Sequence, residues 1–386
     1  MNENIGEAFR RTKAYYCLEC GKCTSACPVS ISFGEFSPRL MVKKALLGFE
    51  PELLADKYLW DCLTCNRCND VCMSDVHLPE FIRAVREEAI KVGNKGNVSH
   101  CEVPHAVTRL MTNQNLDQNR LGWLTKDMKI SRDKGDFLLW TGCAPYFKTV
   151  FSEFDDATDI PKATLLLLNH FGIEPVVLPN ERCCGHDMLW LGQRETFEKL
   201  REQNTKSIEA SKAEKIITPC AEGYYTLKNY YNLSAEVMHI SQFLSDKIEN
   251  NNIEFKKLKL GKVTYHDSCR LGRFAGEYEA PRKILEALPG VEFVEMEKNK
   301  HKSPCCGVSA WMNCDDFSRE MRLNKLNMAK ETEANILATT CPKCRIHLRC
   351  YTSNQHVKPQ IKMDVEDITV LTAKSLGLMS RRKARK

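Results

Sequence analysis

The segments CLECGKCTSACP, residues 17–28, and CLTCNRCNDVCM, residues 62–73, decide the fold of the first part of this chain. Both follow the pattern C-x2-C-x2-C-x3-C, which is typical of proteins that hold two iron-sulfur clusters. In that arrangement three thiolates of one motif bind one cluster, and the fourth crosses to the other cluster. Zinc sites usually pair two cysteines with a distant second pair, so this pattern fits zinc poorly.

The spacing therefore predicts two cubane 4Fe-4S clusters with crossed ligands. The ligands predicted for the first cluster are Cys17, Cys20, Cys23 and Cys72. Those predicted for the second cluster are Cys62, Cys65, Cys68 and Cys27. Apolar side chains recur at helical intervals within residues 33–58 and 81–92, and the run GNKGN at 93–97 is typical of a domain end. We predict an all-helical ferredoxin domain with two 4Fe-4S clusters over residues 1–97.

Composition narrows the class of protein further. The chain has 386 residues, of which 43% are hydrophobic and 27% charged, so wholesale disorder is excluded and two or three domains are expected. The chain has 20 cysteines, and its N-terminus is polar and lacks the apolar core of a signal peptide. These features together predict a cytoplasmic protein whose thiols are reduced. No apolar run approaches the roughly 20 residues of a membrane span. The net charge of +6 does not indicate a nucleic-acid-binding domain.

The remainder of the chain contains an internal repeat. A short apolar strand at 137–142 leads to Cys143, and another at 262–267 leads to Cys269. After each come a helix, a strand, a Cys-Cys-Gly tripeptide, a charged helix, a strand, a further cysteine and a closing helix. The predicted helices are 161–171, 194–212 and 237–248 in the first repeat, and 281–288, 316–331 and 365–376 in the second. The remaining predicted strands are 174–178, 215–218, 292–296 and 335–339.

Alternating strands and helices predict two small α/β units with parallel sheets. We assign them to residues 136–250 and 260–377, with a linker at 98–135 before them and a basic tail at 378–386 after them. Cysteines of both repeats stand at the carboxyl ends of predicted strands, which is where parallel sheets bind ligands. The glycine of each Cys-Cys-Gly lets the backbone approach a cofactor closely. The loops are thus expected to form a thiolate nest.

Two helical-ferredoxin motifs followed by two Cys-Cys-Gly repeats resemble the catalytic iron-sulfur subunit of heterodisulfide reductase, its D subunit, which is equivalent to a fusion of the C and B subunits. They are also similar to the K subunit of the sulfite-reduction-associated complex, to lactate-utilisation protein A, and to the iron-sulfur subunits of glycolate oxidase and anaerobic glycerol-3-phosphate dehydrogenase. The resemblance covers nearly the whole chain. It implies a helical two-cluster domain followed by two tandem CCG domains, and a noncubane 4Fe-4S cluster that cleaves a disulfide in any repeat with five cysteines.

The two repeats differ in their last cysteine. The second is complete and is expected to hold the noncubane cluster with Cys269, Cys305, Cys306, Cys341 and Cys344. In the first, Gly223 stands where the fifth cysteine is expected. The four cysteines that remain as candidate metal ligands are Cys143, Cys183, Cys184 and Cys220. They could hold a further cubane, bind zinc or stay metal-free, and the sequence leaves these alternatives open. This asymmetry resembles the sulfite-reduction relatives more than a reductase with two sites.

Two histidines are candidate catalytic residues. His186 follows the first Cys-Cys-Gly, and His266 precedes Cys269. A histidine can protonate a leaving thiolate, although each could instead only hydrogen-bond a loop. Five cations flank the cluster cysteines and are expected to attract anionic thiols, namely Arg182, Arg270, Arg273, Lys343 and Arg345. Three cysteines outside every motif are expected to be buried structural thiols, namely Cys101, Cys314 and Cys350.

The motifs that are missing also bear on function. Neither G-x-G-x-x-G after a strand nor G-x4-G-K-[ST] occurs, so no flavin, nicotinamide or nucleotide site is expected. Electrons would then enter from another subunit, either of the membrane cytochrome b type or a flavoprotein. Two functions remain: an enzyme that reduces a disulfide or oxidises thiols, and an electron-transfer subunit of a flavin hydroxy-acid dehydrogenase acting on glycolate, lactate or glycerol-3-phosphate. The five-cysteine repeat favours the enzyme.

The sequence leaves the thiol or disulfide substrate and the direction of reaction open. The tail SRRKARK at 380–386 is expected either to be solvated or to dock on an acidic partner or an anionic membrane surface. We therefore expect a cytoplasmic protein without a transmembrane segment of its own, with a peripheral position on the inner face of the membrane as one alternative.

Overall fold

Short helices build the N-terminal part of the computed structural model, which describes residues 5–151, 153, 156–250, 253–353 and 361–380. The helices are α1 Ile5–Arg11, α2 Lys22–Ala26, α3 Pro28–Ser32, α4 Pro38–Leu46, α5 Glu50–Leu54 and α6 Leu78–Lys91. The last four each carry a proline in the first turn, namely Pro28, Pro38, Pro51 and Pro79. Proline presets the backbone for a helix start and gives up only an N–H that would have no helical partner. The prediction of a helical first domain is confirmed.

Two parallel sheets follow, one in each repeat. The first repeat contains β1 Phe137–Leu139, α8 Ala144–Val150, α9 Asp159–His170, α10 His186–Trp190, α11 Arg194–Ala210, β2 Lys215–Thr218, α12 Ala221–Tyr230, β3 Glu236–His239 and α13 Ile240–Asn250. Its strand order is β1-β2-β3, and both pairings are parallel. Ile216 in the central strand lies opposite Leu138 on one side and Val237 on the other.

The second repeat contains β4 Gly261–Tyr265, α14 Glu279–Ala287, β5 Val291–Phe293, α15 Asp316–Lys330, β6 Ile336–Thr339, α16 Pro342–Thr352, β7 Asp364–Asp367 and α17 Ile368–Ser375. Its strand order is β5-β4-β6-β7, again parallel throughout. The repeats therefore share the order of their three common strands. The predicted fold class, a helical domain followed by two α/β units, is confirmed.

Three local predictions were wrong. The strand predicted at 174–178 forms only isolated bridges at Val176. Pro175 lies within it and Pro179 directly follows it, and proline cannot donate to a strand ladder. The closing helices predicted at 237–248 and 365–376 each begin with an edge strand, β3 or β7, and the strand runs into the helix without a turn. With no turn residue to separate them, a short strand and the helix after it present one continuous apolar pattern.

The segment predicted as a linker packs against the second repeat. It contains α7 Val103–Leu110, and Val98 forms an antiparallel bridge with Met312. The His105 ring contacts the carbonyl of Ala310 at 2.7 Å. This segment therefore connects the helical domain to the loop that follows the second Cys-Cys-Gly.

A shared apolar core joins the two repeats. It includes Ile217 and Leu165 from the first repeat and Val263, Ile284 and Leu371 from the second. The other faces of both sheets share a second core with the helical domain. Of the helices in the described ranges, none is both long and apolar enough to cross a bilayer. Most of the predicted basic tail, residues 381–386, lies outside the described residues.

A buried arginine ties the helical domain to the first repeat. Arg86 on α6 is fully buried, and its guanidinium donates to the carbonyls of Cys62 at 2.7 Å, Leu59 at 3.0 Å and Trp190 at 3.1 Å. Gly192 sits against the same helix with φ +79°, and a Cβ there would lie 2.5 Å from the backbone nitrogen of Glu87. Only glycine permits this backbone approach.

Replacing this arginine should destabilise the protein. Arg86→Met removes one buried cation but leaves its carbonyl acceptors buried without donors, so we expect a loss of about 3 kcal/mol. Thermal unfolding of the purified protein, followed by circular dichroism, measures the effect. Lys91→Met on the same helix is the control, since its side chain is 42% exposed and is paired with the nearby Glu88. Equal loss in both variants would contradict the role given to Arg86.

Candidate metal centres

The first motif forms a thiol-lined cavity on the surface of the helical domain. Cys17, Cys20 and Cys23 line it together with Cys72 from the second motif. Gly21 has φ +78° and open space where a Cβ would stand, and it starts α2 by turning the chain between Cys20 and Cys23. Burial raises the pKa of the Cys23 thiol, and the neighbouring Cys17 and Cys72 raise it further. We call these four cysteines the outer set.

Cys27, the fourth cysteine of the first motif, points toward the second motif. Burial raises the pKa of Cys27 to about 12, and the nearby thiols of Cys65 and Cys62 raise it further. Cys68 lies between the two groups, since it borders the outer cavity and also neighbours Cys62 and Cys65. We call Cys62, Cys65, Cys68 and Cys27 the inner set. Cys72 therefore lies beside the cysteines of the first motif and Cys27 beside those of the second. An all-thiol donor set suits an iron-sulfur cluster.

Five thiols of the second repeat meet at one cavity at the carboxyl ends of β4 and β6. Its lining includes all five predicted ligands, namely Cys269, Cys305, Cys306, Cys341 and Cys344. The Sγ atoms of Cys306 and Cys344 are 3.3 Å apart. Gly307 has φ +94°, and a Cβ there would lie 2.6 Å from the Cβ of Met321. The glycine therefore brings the cysteine pair close to α15, and the soft donors fit an iron-sulfur cluster.

The inner motif packs directly on this cavity. Leu63 and Thr64, which stand between the inner cysteines, belong to its lining. Arg270 Nη2 donates to Thr64 Oγ1 at 2.9 Å, and Arg273 Nε donates to the carbonyl of Cys65 at 2.7 Å. The pKa of Cys305 is set mainly by its contacts with Cys269 and Cys306 and by burial. The nearby thiol of Cys65 raises the pKa of Cys305 further. The two arginines after Cys269 thus join the inner set to the second repeat.

The four cysteines of the first repeat are arranged differently. Cys143 and Cys183 are in contact, with their Sγ atoms 3.4 Å apart, and Cys184 contacts Cys183. Cys220 instead lies near Cys341 of the second repeat, and this neighbouring thiol is the largest cause of its raised pKa, followed by burial. The structure therefore brings three of the four together and turns the fourth toward the neighbouring site.

The two candidate histidines have different surroundings. Both ring nitrogens of His186 are engaged, Nε2 by Arg270 Nε at 2.9 Å and Nδ1 by Asp187 at 2.9 Å. Burial lowers its pKa to about 4, so the ring is neutral at pH 7. The contacts assign Nε2 as the acceptor and Nδ1–H as the donor. His186 thus bonds the chain around it, which is the second of the two roles expected from the sequence.

His266 faces the second-repeat thiols. One of its ring nitrogens lies within 4.8 Å of the sulfurs of both Cys306 and Cys344. Neither nitrogen has a hydrogen-bond partner within the described residues, although the side chain is buried. Burial lowers its pKa to about 3, so this ring is also neutral at pH 7. Of the two histidines, His266 is the one with ring nitrogens available to a bound group.

The cations beside the cysteines are mostly committed to protein acceptors. Lys343 Nζ contacts Asp187 at 2.6 Å and Glu222 at 3.0 Å, and Arg345 is paired with Asp156 at 2.7 Å. Arg182 reaches two backbone carbonyls of the segment before the first repeat. Two of these arginines keep a buried nitrogen without a partner in the described part of the chain, Arg270 at Nη1 and Arg273 at Nη2. Of the two, Arg270 lines the second-repeat cavity.

Two residues at the site were missed from the sequence. Glu222 lines the second-repeat cavity and pairs with Lys343. It could have been found, because it stands two residues after Cys220 just as Lys343 stands two after Cys341. Lys325 is fully buried, donates to Ser303 at 2.8 Å and has a pKa lowered to about 8 by burial. Its helical spacing from Phe317 places it on the buried face of α15, which is the signal that was overlooked.

The expectation for the three cysteines outside the motifs was wrong. Cys101 and Cys314 are exposed, and Cys350 is partly exposed. Cys101 and its neighbours His100 and Glu102 adopt positive φ angles, which turn this segment outward. Without a motif, a lone cysteine in a turn carries no sequence signal that separates burial from exposure.

Comparison with family models agrees with this layout. A 4Fe-4S dicluster domain matches residues 13–76, and a cysteine-rich domain, CCG, matches residues 137–228 and 263–349. These matches support iron-sulfur clusters in the chain. They cover the helical domain and both repeats.

Several known proteins are similar over most of the chain. The D subunit of dihydromethanophenazine:CoB–CoM heterodisulfide reductase from Methanosarcina acetivorans is 30% identical over 94% of each chain. The B subunit of fumarate reductase (CoM/CoB) from Methanothermobacter marburgensis is 30% identical over 86% of this chain and 67% of its own. A probable iron-sulfur-binding oxidoreductase, FadF of Bacillus subtilis, is 25% identical over 96% of this chain and 61% of its own.

A solved structure shares the fold. The crystal structure of a hypothetical protein from Helicobacter pylori matches with a TM-score of 0.53 at 10% identity, covering 89% of this chain and 68% of that one. At that identity the likeness concerns the fold alone.

The crossed ligand sets can be tested by iron counts in double variants. In Cys65→Ser, which disrupts the inner set, adding Cys27→Ser should remove no further iron because both residues serve the same cluster. Adding Cys72→Ser to Cys65→Ser should remove about four more irons. Iron and acid-labile sulfide analysis of the purified chains gives the counts. If Cys27→Ser and Cys72→Ser exchange these effects, the fourth cysteines do not cross.

Proposed function

Since the chain belongs to the family of iron-sulfur oxidoreductases that includes the heterodisulfide reductase D subunits, we propose that it is the catalytic iron-sulfur subunit of a complex that reduces a disulfide, or oxidises two thiols, at its second repeat. The outer and inner sets would each hold a cubane 4Fe-4S cluster. The five cysteines of the second repeat would hold a noncubane 4Fe-4S cluster. When bound, these groups supply single electrons and, at the second repeat, iron that can take a sulfur ligand.

The observation that carries this proposal is the contact between the inner motif and the second repeat. Thr64 and the carbonyl of Cys65 are hydrogen-bonded to the two arginines that follow Cys269. The inner set therefore lies between the outer set and the five-cysteine cavity. Such an order suits electrons that enter at the outer set and are used at the second repeat.

Arg270 is the residue best placed to bind substrate there. Its guanidinium is stacked between Trp190, with the ring centre 3.9 Å away, and Phe274, at 4.2 Å. His186 and Thr64 accept two of its hydrogen bonds, which orients the free Nη1. A guanidinium held this firmly offers a donor to an anionic group at little further entropic cost. We therefore propose that it binds the anionic part of a thiol substrate.

His266 is proposed as a second participant. Its neutral ring beside Cys306 and Cys344 can donate one hydrogen bond and accept another. A leaving thiolate beside these cysteines could accept a hydrogen bond from the ring N–H. His186 is proposed as a positioning residue that acts through Arg270.

Partners follow from the same reasoning. The complex needs an electron-donating subunit, either of the membrane cytochrome b type or a flavoprotein, and we propose that it docks at the outer set. A cytoplasmic location, with the chain peripheral on the inner face of the membrane when the donor is a cytochrome, would suit such an assembly.

The alternative function is that of an electron-transfer subunit of a flavin hydroxy-acid dehydrogenase, with the repeats as scaffold. The similarity to the FadF protein favours it weakly, at 25% identity. The five-thiol cavity and the free donor of Arg270 favour the enzyme, because a scaffold needs neither.

Loss of the fifth cysteine should abolish disulfide reduction. Cys344→Ser removes one sulfur from the second-repeat cavity while leaving the helical domain intact. With dithionite-reduced viologen as donor and small disulfides as acceptors, we expect at least a hundredfold loss of rate with unchanged signals from the helical domain. Cys350→Ser on the same helix α16 is the matched control, because Cys350 does not border that cavity. A comparable loss in the control would contradict the assignment.

Direct contact between substrate and the second repeat has a spectroscopic test. The oxidised protein, given one thiol partner, should develop a new paramagnetic signal that Cys305→Ser and Cys306→Ser lose. Enrichment of the protein in magnetic iron should broaden that signal. A spectrum unchanged by a panel of anionic and neutral thiols, at full iron content, would favour the electron-transfer function instead.

A further inference from the structure

A second small cavity lies beside the Cys-Cys-Gly loop of the second repeat, on the side of helices α15 and α16. Its volume is about 20 Å³, more than the roughly 10–15 Å³ that one water molecule needs. Helix α15 contributes Arg322 to its wall, and α16 contributes His347. A Cβ on Gly307 would lie 3.5 Å from Nε2 of His347, so this ring stands against the loop. The rings of Phe151 and Trp311, 4.8 Å apart, also line the cavity.

The wall of this cavity is positively charged, and its lining in the described residues includes no carboxylate. Arg322 is 7% exposed, and its guanidinium donates to the carbonyl of Ser318 at 3.2 Å and to the hydroxyl of Ser318 at 3.4 Å. Its Nη1 has no acceptor in the described part of the chain. Arg282 and Arg345, buried in the same repeat, are each paired with a carboxylate. A buried guanidinium without a counter-ion is costly, because burial removes water that no other group replaces.

His347 offers a second donor at the same place. The residue is 6% exposed, and its Nε2 is buried without a hydrogen-bond partner in the described residues. Burial lowers the pKa of this histidine and the Arg322 guanidinium lowers it further, so the ring is neutral at pH 7 and carries one N–H. An oxyanion is the kind of ligand that accepts hydrogen bonds from a guanidinium and from an imidazole N–H together.

A zinc ion fits this cavity less well than an anion does. Cys314, Cys350, His100 and His347 all border it, and two thiols with two imidazoles are donors that zinc sites use. In the part of the chain that the structure describes, however, no three of these four donor atoms lie within 4.8 Å of one another. Arg322 lies close enough to both histidines to lower their pKa, after burial, and its charge repels a cation.

We propose that this cavity binds a small oxyanion, a carboxylate or a sulfate-like group, through hydrogen bonds from Arg322 and His347. The bound anion neutralises the buried guanidinium and fills the space beside the loop that carries Cys305 and Cys306. Val308 lines both this cavity and the five-cysteine cavity, so the two sites are neighbours with separate walls. The inference does not depend on the redox reaction proposed above.

Cys314 provides a reporter for this site, because it is exposed and borders the cavity. The full-length protein is alkylated without oxygen, either with iodoacetate, which is a small carboxylate, or with iodoacetamide, which is neutral. Peptide mass spectrometry gives the initial rate at each cysteine. The ratio of the two rates reports attraction of the anion, because a change in the reactivity of the thiol affects both reagents. Cys101 is the internal control, since it is exposed and is not among the lining residues.

Removing the guanidinium should lower the iodoacetate preference at Cys314. In Arg322→Met we expect the ratio at Cys314 to fall several-fold, while the ratio at Cys101 stays the same. Arg319→Met on the same helix is the matched control, because its side chain is 52% exposed and pairs with Asp316. It should leave both ratios unchanged. In the unaltered protein, sodium sulfate should slow iodoacetate at Cys314 more than sodium chloride does at equal ionic strength.

An unchanged ratio in Arg322→Met overturns the inference. An equal fall in Arg319→Met does so too, because the effect would then come from the general field of the surface. Sulfate that protects Cys314 no better than chloride also overturns it, and this measurement needs no variant that has to fold. One equivalent of zinc in the purified protein, lost in both Cys314→Ser and His347→Gln, would show that the cavity is a metal site instead.

Discussion

Sulfur atoms from loops far apart in the sequence have to meet at points only a few ångström wide, and the rest of this structure serves that requirement. In each repeat a parallel sheet ends its strands at one edge, so that Cys269 and Cys341, more than seventy positions apart, come out side by side. The Cys-Cys-Gly loop reaches the same point because Gly307 lets the backbone close on Met321. In the helical domain, the fourth cysteine of each motif lies beside the other motif's cysteines. Neither solution needs a large apolar core of its own.

Small domains that share their apolar cores with their neighbours need further contacts between them, and buried arginines provide these contacts here. Arg86 links the inner motif to the first repeat through backbone carbonyls, and Arg273 links it to the second. Arg282 forms a bidentate bond with Asp267 and a second ion pair with Glu295. A guanidinium suits this role because it satisfies several acceptors at once in a fixed plane. Side chains with little rotational freedom therefore hold the inner motif against both repeats.

Spacing and repetition made much of this architecture predictable. The helical domain, the two parallel sheets and the convergence of the cysteines follow from patterns that repeat within one chain. Contacts between the two repeats could not be predicted from the sequence. The ion pair of Glu222 with Lys343, for example, depends on how the two sheets pack against each other. The edge strands β3 and β7 were missed for a local reason: each runs into its helix without a turn. The candidate histidines could not be ranked from the sequence, since the difference between His186 and His266 is one of hydrogen-bond partners.

The two repeats differ in what they contribute to the second-repeat cavity. The first repeat lacks a fifth cysteine, yet it contributes His186, Ala221 and Glu222 to the wall of the second-repeat cavity. Trp190, also from the first repeat, stacks on Arg270. A repeat without a function could lose these contacts. Here the contacts orient Arg270, the cation in the cavity lining whose Nη1 has no partner in the described residues. The first repeat therefore still contributes to the site of the second repeat, although it lacks the fifth cysteine. The first repeat supplies part of the wall of its neighbour's cavity and the ring that stacks on Arg270.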